Sequence, residues 1–387
     1  MLNCFTFLLT NVLYIETHWF SMENKQILFH LALQSVEGIG DINAKKLIAH
    51  CGSAQAVFEE KPKHLEKIIG IGSYIIKGLK KSEVLLKAEK ELDFINKNNI
   101  DVTSFLDDDY PERLKHCIDG PILLFQKGHI DLKGRKIISI IGTRKITNYG
   151  KTFLNNFFEE LKAYDPVVIS GLAYGVDIFA HQLAIRHDLQ TIGVLAHGLD
   201  MIYPKLHRKE AIKMLENGGL ITEFWSETNP DKENFVKRNR IVAGLSEATI
   251  VIESAEKGGS LITADIANSY HRDVFAVPGR TTDVYSKGAN QLIKSNKAAM
   301  LTSVKDLEYI LNWQTEEKPK PVQKQLFVDL NEQEQHIHNY LLKKGKQNLD
   351  MIALDCKYPI YKTATVLLNL ELKGLAKPLP GKIYEAV

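Results

Sequence analysis

The chain has 387 residues, which is too long for one ordinary domain, and we expect three domains. Hydrophobic residues make up 44% and charged residues 25%, so the composition excludes a fibrous or disordered protein. The formal net charge is only +2, which excludes a protein that is basic overall, so any surface that binds a polyanion must be local.

The amino-terminal segment from Leu2 to Ile15 is apolar, as in a secretory signal, yet no Lys or Arg precedes Lys25. It is also too short and too polar in places to span a bilayer. A second methionine, Met22, opens a segment that has the composition of an ordinary cytosolic start. We therefore expect residues 1–21 to be a mis-annotated extension of a cytoplasmic protein.

The cysteines show no C-x-x-C spacing and no histidine pairing of the kind that binds zinc. They are Cys4, Cys51, Cys117 and Cys356. This scatter favours a reducing compartment and predicts no metal site.

Residues 24–97 carry apolar side chains at helical spacing and predict an all-helical domain over residues 22–100. Two similar turns lie in it, Val36-Glu-Gly-Ile-Gly40 and Ile69-Gly-Ile-Gly72, each followed by a helix. Paired glycines permit a tight hairpin, and the amides that follow are free to bind a phosphate. The two turns resemble a tandem helix-hairpin-helix (SAM-like) domain. A purely packing role for both turns is an equal alternative.

From Lys136 to about Leu311 short β-branched runs alternate with amphipathic stretches. This pattern predicts a parallel sheet with crossover helices, an extended Rossmann-like α/β domain over residues 101–313. The predicted strands are Lys136–Ile141, Val167–Ile169, Thr191–Leu195, Thr249–Ile252 and Val274–Val277.

Residues 314–325 are rich in Pro and charge and predict an extended linker. The remaining residues, 326–387, contain two short helical stretches and a closing hairpin, and they resemble a winged-helix domain. The candidate recognition helix carries only Lys362 and Lys373 as cations, which is sparse for phosphate contact.

Glycine-rich segments follow the predicted strands, at the edge where open parallel sheets bind ligands. They include Gly142-Thr-Arg144, Ser170-Gly171 and Gly258-Gly259-Ser260. Glycines let backbone amides approach an anion, and the Ser260 hydroxyl adds a donor at a helix N-terminus. We therefore expect a phosphate-binding site at this edge of the sheet.

Two common nucleotide-binding motifs are incomplete in this chain. Gly150-Lys-Thr152 resembles the end of a P-loop, but Lys145 stands where that motif needs a glycine. The first strand runs into Gly142-Thr-Arg144, which is not a G-x-G-x-x-G turn. We expect no nucleotide cofactor.

The most informative stretch is Phe235-Val236-Lys237-Arg238-Asn239-Arg240, directly before an apolar helical segment. Its cations can neutralise phosphates, and Phe235 can stack an unpaired base. Cations are unfavourable at a helix N-terminus, so they suggest an external counter-charge. The alternative is an ordinary solvated basic helix start. We expect Lys237, Arg238 and Arg240, here called the cation cluster, to project beside the glycine-rich edge.

Motifs along residues 110–307 resemble the DNA-processing protein A (DprA/Smf) family. These bacterial proteins receive single-stranded DNA during natural transformation and hand it to the RecA recombinase. The motifs are Ser170-Gly171-x-Ala173-x-Gly175-x-Asp177-x-x-x-His181, Gly198-x-Asp200-x-x-Tyr203-Pro204, Arg238-Asn239-Arg240-Ile241, Gly259-Ser-Leu-Ile-Thr-Ala264 and Val277-Pro-Gly-Arg280. Ala196 and His207 depart from the family pattern, which usually has glycine and asparagine there.

The resemblance implies a non-catalytic protein that protects incoming single-stranded DNA and loads RecA. It also implies a homodimer formed through the Rossmann-like domain, and we expect no membrane partner. The implied DNA contacts are Arg144, Ser170, Gly171, Phe235, Lys237, Arg238, Asn239, Arg240, Gly258, Gly259 and Ser260.

An enzyme of similar fold is the alternative. Nucleoside-monophosphate phosphoribohydrolases carry a P-G-G-x-G-T-x-x-E loop whose carboxylate supports the departing base. Here Lys257 replaces the proline, and no glutamate follows Thr263 at that spacing. Asp177 and His181 lie one helical turn apart and could form an acid/base pair, although a structural role is more common for such residues. We expect no catalytic residue.

Overall fold

The computed structural model describes residues 22–313, 330–379 and 381–387. The expected extension, residues 1–21, and the expected linker, residues 314–325, lie outside the described residues. Residues 22–313 form one compact unit and the carboxyl-terminal residues form another. Within the described parts of the chain, no helix is long and apolar enough to cross a membrane.

The first region is all-helical, as predicted. Its helices are α1 (Met22–Gln34), α2 (Asp41–Cys51), α3 (Ala54–Glu59), α4 (Pro62–Leu65), α5 (Ser73–Leu79) and α6 (Ser82–Lys97). Gly38 and Gly70 have φ angles of 87° and 94° at equivalent points of the two predicted turns. Only glycine adopts this left-handed backbone without strain, which explains why both hairpins can form.

A nine-stranded sheet follows in the chain. Its strands are β1 (Asp101–Ser104), β2 (Leu123–His129), β3 (Ile137–Ile141), β4 (Val167–Ser170), β5 (Thr191–Val194), β6 (Gly218–Thr222), β7 (Ala248–Val251), β8 (Asp273–Ala276) and β9 (Ala299–Met300). The order is β1-β2-β6-β5-β4-β3-β7-β8-β9. The strands from β6 to β9 are parallel, whereas β2 pairs antiparallel with β6 and β1 antiparallel with β2. The predicted parallel sheet is confirmed, with two antiparallel strands added at one edge.

Helices cover both faces of the sheet. They are α7 (Glu112–Lys115), α8 (Asn148–Leu161), α9 (Val176–Arg186), α10 (Arg208–Met214), α11 (Lys232–Leu245), α12 (Gly259–Ser269), α13 (Lys287–Lys294) and α14 (Val304–Leu311). Ile137 and Ile141 of β3 pack in one core with α11 and α12, whereas Ile138 and Ile140 pack in another with α8 and α9. This alternation along a fully buried strand is what a doubly covered parallel sheet requires.

The helical region, residues 22–97, packs on the antiparallel edge of the sheet. Ile122, Leu123 and Phe125 of the β2 segment belong to the same apolar core as the helices of that region. The Ser226 N–H and hydroxyl both donate to Glu91 of α6, at 2.8 and 2.5 Å. The helical region and the sheet therefore share one continuous interior.

The carboxyl-terminal unit has the predicted winged-helix fold. Its elements are α15 (Glu332–Lys344), β10 (Gln347–Asn348), α16 (Leu349–Asp355), α17 (Ile360–Leu372), β11 (Ala376–Leu379) and β12 (Ile383–Ala386). The strands form a sheet in the order β10-β12-β11. Ile337 of α15 and Leu367 of α17 are fully buried in its core.

Candidate functional site

The order in which the parallel strands are added to the sheet reverses between β3 and β7. From β3 the chain moves outward through β4, β5 and β6, and it then returns to β7 on the other side of β3. The segments after β3 and β7 therefore leave in opposite directions and open a crevice, the usual ligand site of such sheets. The Thr143 N–H donates to the Glu253 carbonyl at 2.7 Å and joins the two segments.

The start of α8 is occupied by a carboxylate of the protein itself. Glu253 is buried, and it accepts hydrogen bonds from the Thr147 N–H at 2.9 Å and the Thr147 hydroxyl at 2.5 Å. A Cβ added at Gly150 would collide with this carboxylate. Glu253 thus takes up hydrogen-bond donors at the start of α8, the helix that follows the first parallel strand.

The loop between β4 and α9 is held by Asp177, in the first turn of α9. This buried carboxylate accepts a hydrogen bond from the Gly171 N–H at 3.1 Å. Burial raises the pKa of Asp177, and the nearby Arg238 guanidinium opposes that rise. The Ser170 hydroxyl is buried and donates to the Ile140 carbonyl at 2.6 Å, so it serves the sheet instead of facing a ligand, contrary to the expectation for Ser170.

The start of α12 is open. Its N-cap residue is Gly258, which has no side chain to cap the helix, and Gly259 is exposed with free space around the position of a Cβ. The Ser260 hydroxyl donates to the Ser254 hydroxyl at 2.9 Å. The anion-binding capacity of this helix start therefore lies in its backbone amides, and the expected donor role of the Ser260 hydroxyl is corrected.

The structure brings Arg144, Phe235 and Arg238 together. The guanidinium carbons of Arg144 and Arg238 lie 5.4 and 5.9 Å from the centre of the Phe235 ring. We call these three residues the aromatic–guanidinium cluster. It combines two cations with one aromatic ring beside the loops that follow β3 and β4.

Arg238 lies beneath the loop at Gly171 and does not project from the surface. Its guanidinium is buried and donates to the Val194 carbonyl at 2.5 Å, and a Cβ at Gly171 would overlap it. Burial lowers the pKa of Arg238 to about 10, while Asp177 raises it and Arg144 lowers it. Arg238 thus adds positive potential to the edge through the loop and holds that loop in place.

The expectation that Arg240 projects beside the glycine-rich edge is wrong. Arg240 donates to Asp41 at 2.9 Å and to Glu223 at 2.5 Å, and also to the Asp119 carbonyl. The helix starts at Lys232, so the cation cluster lies within the helix and not at its N-terminus. Residues two positions apart on a helix point roughly 200° apart, so Arg238 and Arg240 cannot share a face.

Lys237 is paired with the same buried carboxylate, yet it remains accessible. Its ammonium lies 3.0 Å from Glu223, with the lysine side chain 52% exposed and the glutamate 1% exposed. Burial raises the pKa of Glu223, and Arg240 and Lys237 oppose that rise. Because Arg240 contacts Glu223 as well, Lys237 can leave it without uncovering a lone buried charge. Asn239 is half-buried on the same helix.

Lys232 and Tyr203 are candidate site residues that were not predicted. A depression of about 470 Å³ along α11 is lined by Lys232, Glu233, Val236 and Lys237. The Tyr203 ring lies 6.0 Å from Phe235. The sequence signal for Tyr203 was its place in the Gly198-x-Asp200-x-x-Tyr203-Pro204 motif. Lys232 was missed because the helix was predicted to begin after Arg240, whereas it begins at Lys232.

The candidate acid/base pair is unsuited to catalysis. His181 is fully buried, and its Nδ1 lies 2.7 Å from the Thr191 hydroxyl, which itself donates to the Val168 carbonyl at 2.9 Å. Burial, with smaller effects of His207 and Arg238, lowers the pKa of His181 to about 3, so the ring is neutral. Asp177 is held by the Gly171 amide. Both side chains stabilise the start of α9 and the sheet below it.

The first hairpin of the helical region is also used inside the molecule. Asp41 lies in the first turn of α2, and it accepts from the Ile122 N–H at 3.0 Å as well as from Arg240. The carboxylate at this helix start serves docking onto the sheet, which favours the packing role for this hairpin, the alternative held equal to phosphate binding.

Lys362 on the predicted recognition helix α17 and Lys373 directly after it both have partners within the winged helix. Lys373 lies 2.7 Å from Glu334, and Lys362 lies over the Tyr358 ring at 5.6 Å.

Comparison with protein-family models identifies residues 101–312 as a DNA recombination-mediator protein A domain and residues 328–382 as a DprA winged helix domain. The chain belongs to the DprA/Smf family. The DNA processing protein DprA of Bacillus subtilis is 44% identical over 49% of this chain and 65% of its own length. Protein Smf of Escherichia coli is 33% identical over 70% of this chain and 74% of its own length.

Two solved DprA structures are similar to this family member. The protein from Streptococcus pneumoniae has a TM-score of 0.59 and 28% identity, covering 73% of this chain and 96% of that one. The protein from Helicobacter pylori, described for its single-stranded DNA binding mode, has a TM-score of 0.50 and 28% identity, covering 56% of this chain and 97% of that one. Which residues of this DprA-family chain contact a ligand stays a prediction.

Proposed function

We propose that this DprA-family protein binds single-stranded DNA along the carboxyl edge of its sheet and performs no covalent chemistry. The observation that carries the proposal is the aromatic–guanidinium cluster of Arg144, Phe235 and Arg238 at the crevice edge. Guanidinium groups attract phosphates, and aromatic rings stack unpaired bases. The open start of α12 adds backbone amides at the other side of the crevice.

Several features favour a single strand over a duplex. An aromatic platform can stack only a base whose face is free, and bases within a duplex already stack on their neighbours. The positive charge at this edge comes from a few cations, and a net charge of only +2 for the whole chain does not favour a broad basic surface of the kind that binds a duplex. The structural likeness to the Helicobacter pylori protein supports the same ligand class.

The wider role rests on family membership. We propose that the protein acts in the cytoplasm as a homodimer, protects incoming single-stranded DNA during natural transformation, and loads RecA onto it. A test is the rate of RecA filament formation on single-stranded DNA with and without the purified protein. An unchanged rate of filament formation would contradict RecA loading but not the binding of single-stranded DNA.

A mobility-shift titration tests the central proposal. We expect labelled single-stranded oligonucleotide to bind more tightly than a duplex of equal length, with affinity that falls as salt rises because phosphate contacts release counterions. Equal affinity for both ligands would contradict the proposal. The same protein incubated with nucleoside monophosphates is expected to release no free base, since Asp177 and His181 are buried and internally bonded.

A further inference from the structure

The Tyr203 ring is an exposed aromatic surface next to the aromatic–guanidinium cluster. Its centre lies 6.0 Å from the centre of the Phe235 ring, and the two planes are tilted by 56°. Tyr203 is 44% exposed, whereas Phe235 is half-buried. Both guanidinium groups of the cluster and the Tyr203 ring lie within 6.0 Å of Phe235. Phe235 therefore supports its neighbours, and Tyr203 presents the more open face.

The backbone holds Tyr203 in place from both sides. The Tyr203 N–H donates to Nε2 of His197 at 3.2 Å, and Nδ1 of His197 pairs with the Gly198 carbonyl at 2.8 Å. Burial lowers the pKa of His197, which keeps the ring neutral and able to accept this hydrogen bond. After Tyr203, the chain is fixed again where Nδ1 of His207 pairs with the Leu172 carbonyl at 2.8 Å.

An exposed ring on a fixed backbone, packed on one side against Phe235, is suited to binding a planar apolar ligand, because little freedom of the loop is lost on contact. A base cannot insert between Tyr203 and Phe235. Insertion needs nearly parallel rings separated by two stacking distances of about 3.5 Å each, whereas these rings are 6.0 Å apart and tilted by 56°. The ligand must therefore stack on the outer face of Tyr203. The exposed Arg144 guanidinium beside Phe235 then lies where an attached phosphate would be drawn.

We propose that Tyr203 forms a nucleobase subsite, in which one unpaired base stacks on the exposed face of the ring while Phe235 supports its inner side. This inference rests on the proposed single-stranded DNA binding and extends it to a residue outside the glycine-rich loops and the cation cluster. The ligand class is a nucleobase joined to a phosphate, with no preference among bases, because every base has a face that can stack.

The test compares two ligands of equal length and charge, an oligothymidylate and an oligonucleotide with the same sugar–phosphate chain but abasic sites. Tyr203→Ala and Tyr203→Leu are expected to weaken oligothymidylate binding about tenfold and to leave abasic binding within about twofold of the unchanged protein. Tyr203→Phe keeps the ring and is expected to retain full affinity. Leu206→Ala, which removes a 76% exposed aliphatic side chain from the same segment, is the matched control and is expected to change neither affinity.

Equal losses on both ligands would overturn the subsite, since they would assign Tyr203 to loop position or phosphate contact. No loss on either ligand, or a loss in Tyr203→Phe as large as in Tyr203→Ala, would also overturn it. A 2-aminopurine base in the oligonucleotide gives a second reading, because its fluorescence is quenched by stacking; at saturation Tyr203→Leu is expected to reduce the quenching. If the unchanged protein binds neither ligand, the proposed function itself fails. If it binds oligothymidylate and the tyrosine variants do too, only the subsite fails.

Discussion

At the scale of single residues, the cation cluster divides into three roles. Lys237 is half exposed and can exchange Glu223 for a phosphate. Arg238 is buried under the loop at Gly171, and Arg240 joins two carboxylates on the side of the helical region. The residue types were predictable from the sequence, because a run of cations before an apolar helix is visible there. Their directions were not, because the helix starts at Lys232 and the partner Asp41 is distant along the chain.

For Lys237→Ala we expect weaker single-stranded DNA binding and a salt dependence that is shallower by about 0.7 in the slope of log affinity against log salt, the value for one lost phosphate contact. The measurement is a set of titrations between low and moderate salt. Lys162→Ala is the matched control, since Lys162 is 50% exposed and also paired with a carboxylate, Glu159, at 2.6 Å. An unchanged slope in Lys237→Ala would contradict a phosphate contact by this lysine.

For Arg240→Ala we expect a loss of stability, because Glu223 and Asp41 lose their shared cation inside the protein. Breaking a buried pair completely costs about 3 to 5 kcal/mol, and we expect a smaller loss here because Lys237 still contacts Glu223; urea unfolding at neutral pH measures it. The folded-state pKa of Glu223 is already raised by burial and should rise further in the variant. Stability linked to a raised pKa is present at low pH and is lost as pH rises through that pKa, so the deficit should shrink on acidification. A deficit that is independent of pH would contradict this account.

At the scale of elements, the buried strands were the most predictable part of the fold. β3, β4, β5, β7 and β8 carry β-branched runs, and a strand buried on both faces has no polar positions to obscure the pattern. β6 was not predicted because it begins with Gly218 and Gly219. A Cβ at Gly218 would collide with the Thr191 carbonyl of the neighbouring strand, so close approach of the two backbones requires a residue with low strand propensity.

The glycine-rich loops before the helices at the crevice were predictable from the sequence. Which of these loops bind a carboxylate of the protein itself was not. Glu253 and Asp177 are ordinary acidic residues in the sequence, and only the fold places them at the starts of α8 and α9. The start of α12 remains open. We therefore expect phosphate binding through backbone amides to be concentrated at Gly258–Ser260.

For Gly259→Asp we expect stability and DNA affinity to change in opposite directions. The position has free space for a side chain, and a carboxylate in the first turn of a helix stabilises it by about 0.3 to 1 kcal/mol. The same charge repels a phosphate that approaches α12. Thermal unfolding and oligonucleotide titration measure the two effects, with Gly259→Asn as the uncharged control. A variant that keeps full affinity at low salt would show that this helix start binds no phosphate.

At the scale of the whole molecule, the parts of the chain differ in whether each has an apolar core of its own. Within residues 22–313, Leu123 and Phe125 of β2 pack in the same core as the helical region. The winged helix has its own core around Ile337 and Leu367. The all-helical, sheet and winged-helix parts were predictable because each has its own periodicity. The sharing of a core by the first two was not, because it depends on a strand that the sequence pattern did not show.

We expect a fragment of residues 22–313 to fold and to keep most of the single-stranded DNA affinity and its salt dependence. A fragment of residues 101–313 should melt at a lower temperature than the longer fragment, because it exposes the apolar face of β2 and leaves Arg240 without Asp41. Circular dichroism melting curves and gel filtration of both fragments make the comparison. Equal melting temperatures of the two fragments would contradict a core shared by β2 and the helical region.

The pairing of Asp41 with Arg240 spans 199 residues of sequence. On a ribosome that adds about 5 to 20 residues per second, the aspartate is made some 10 to 40 s before its arginine. Ile122, Leu123 and Phe125, which cover the apolar side of the helices, are translated within that interval, so the shared core can form before the ion pair. The docking of the helical region onto the sheet is therefore completed only after α11 has been translated.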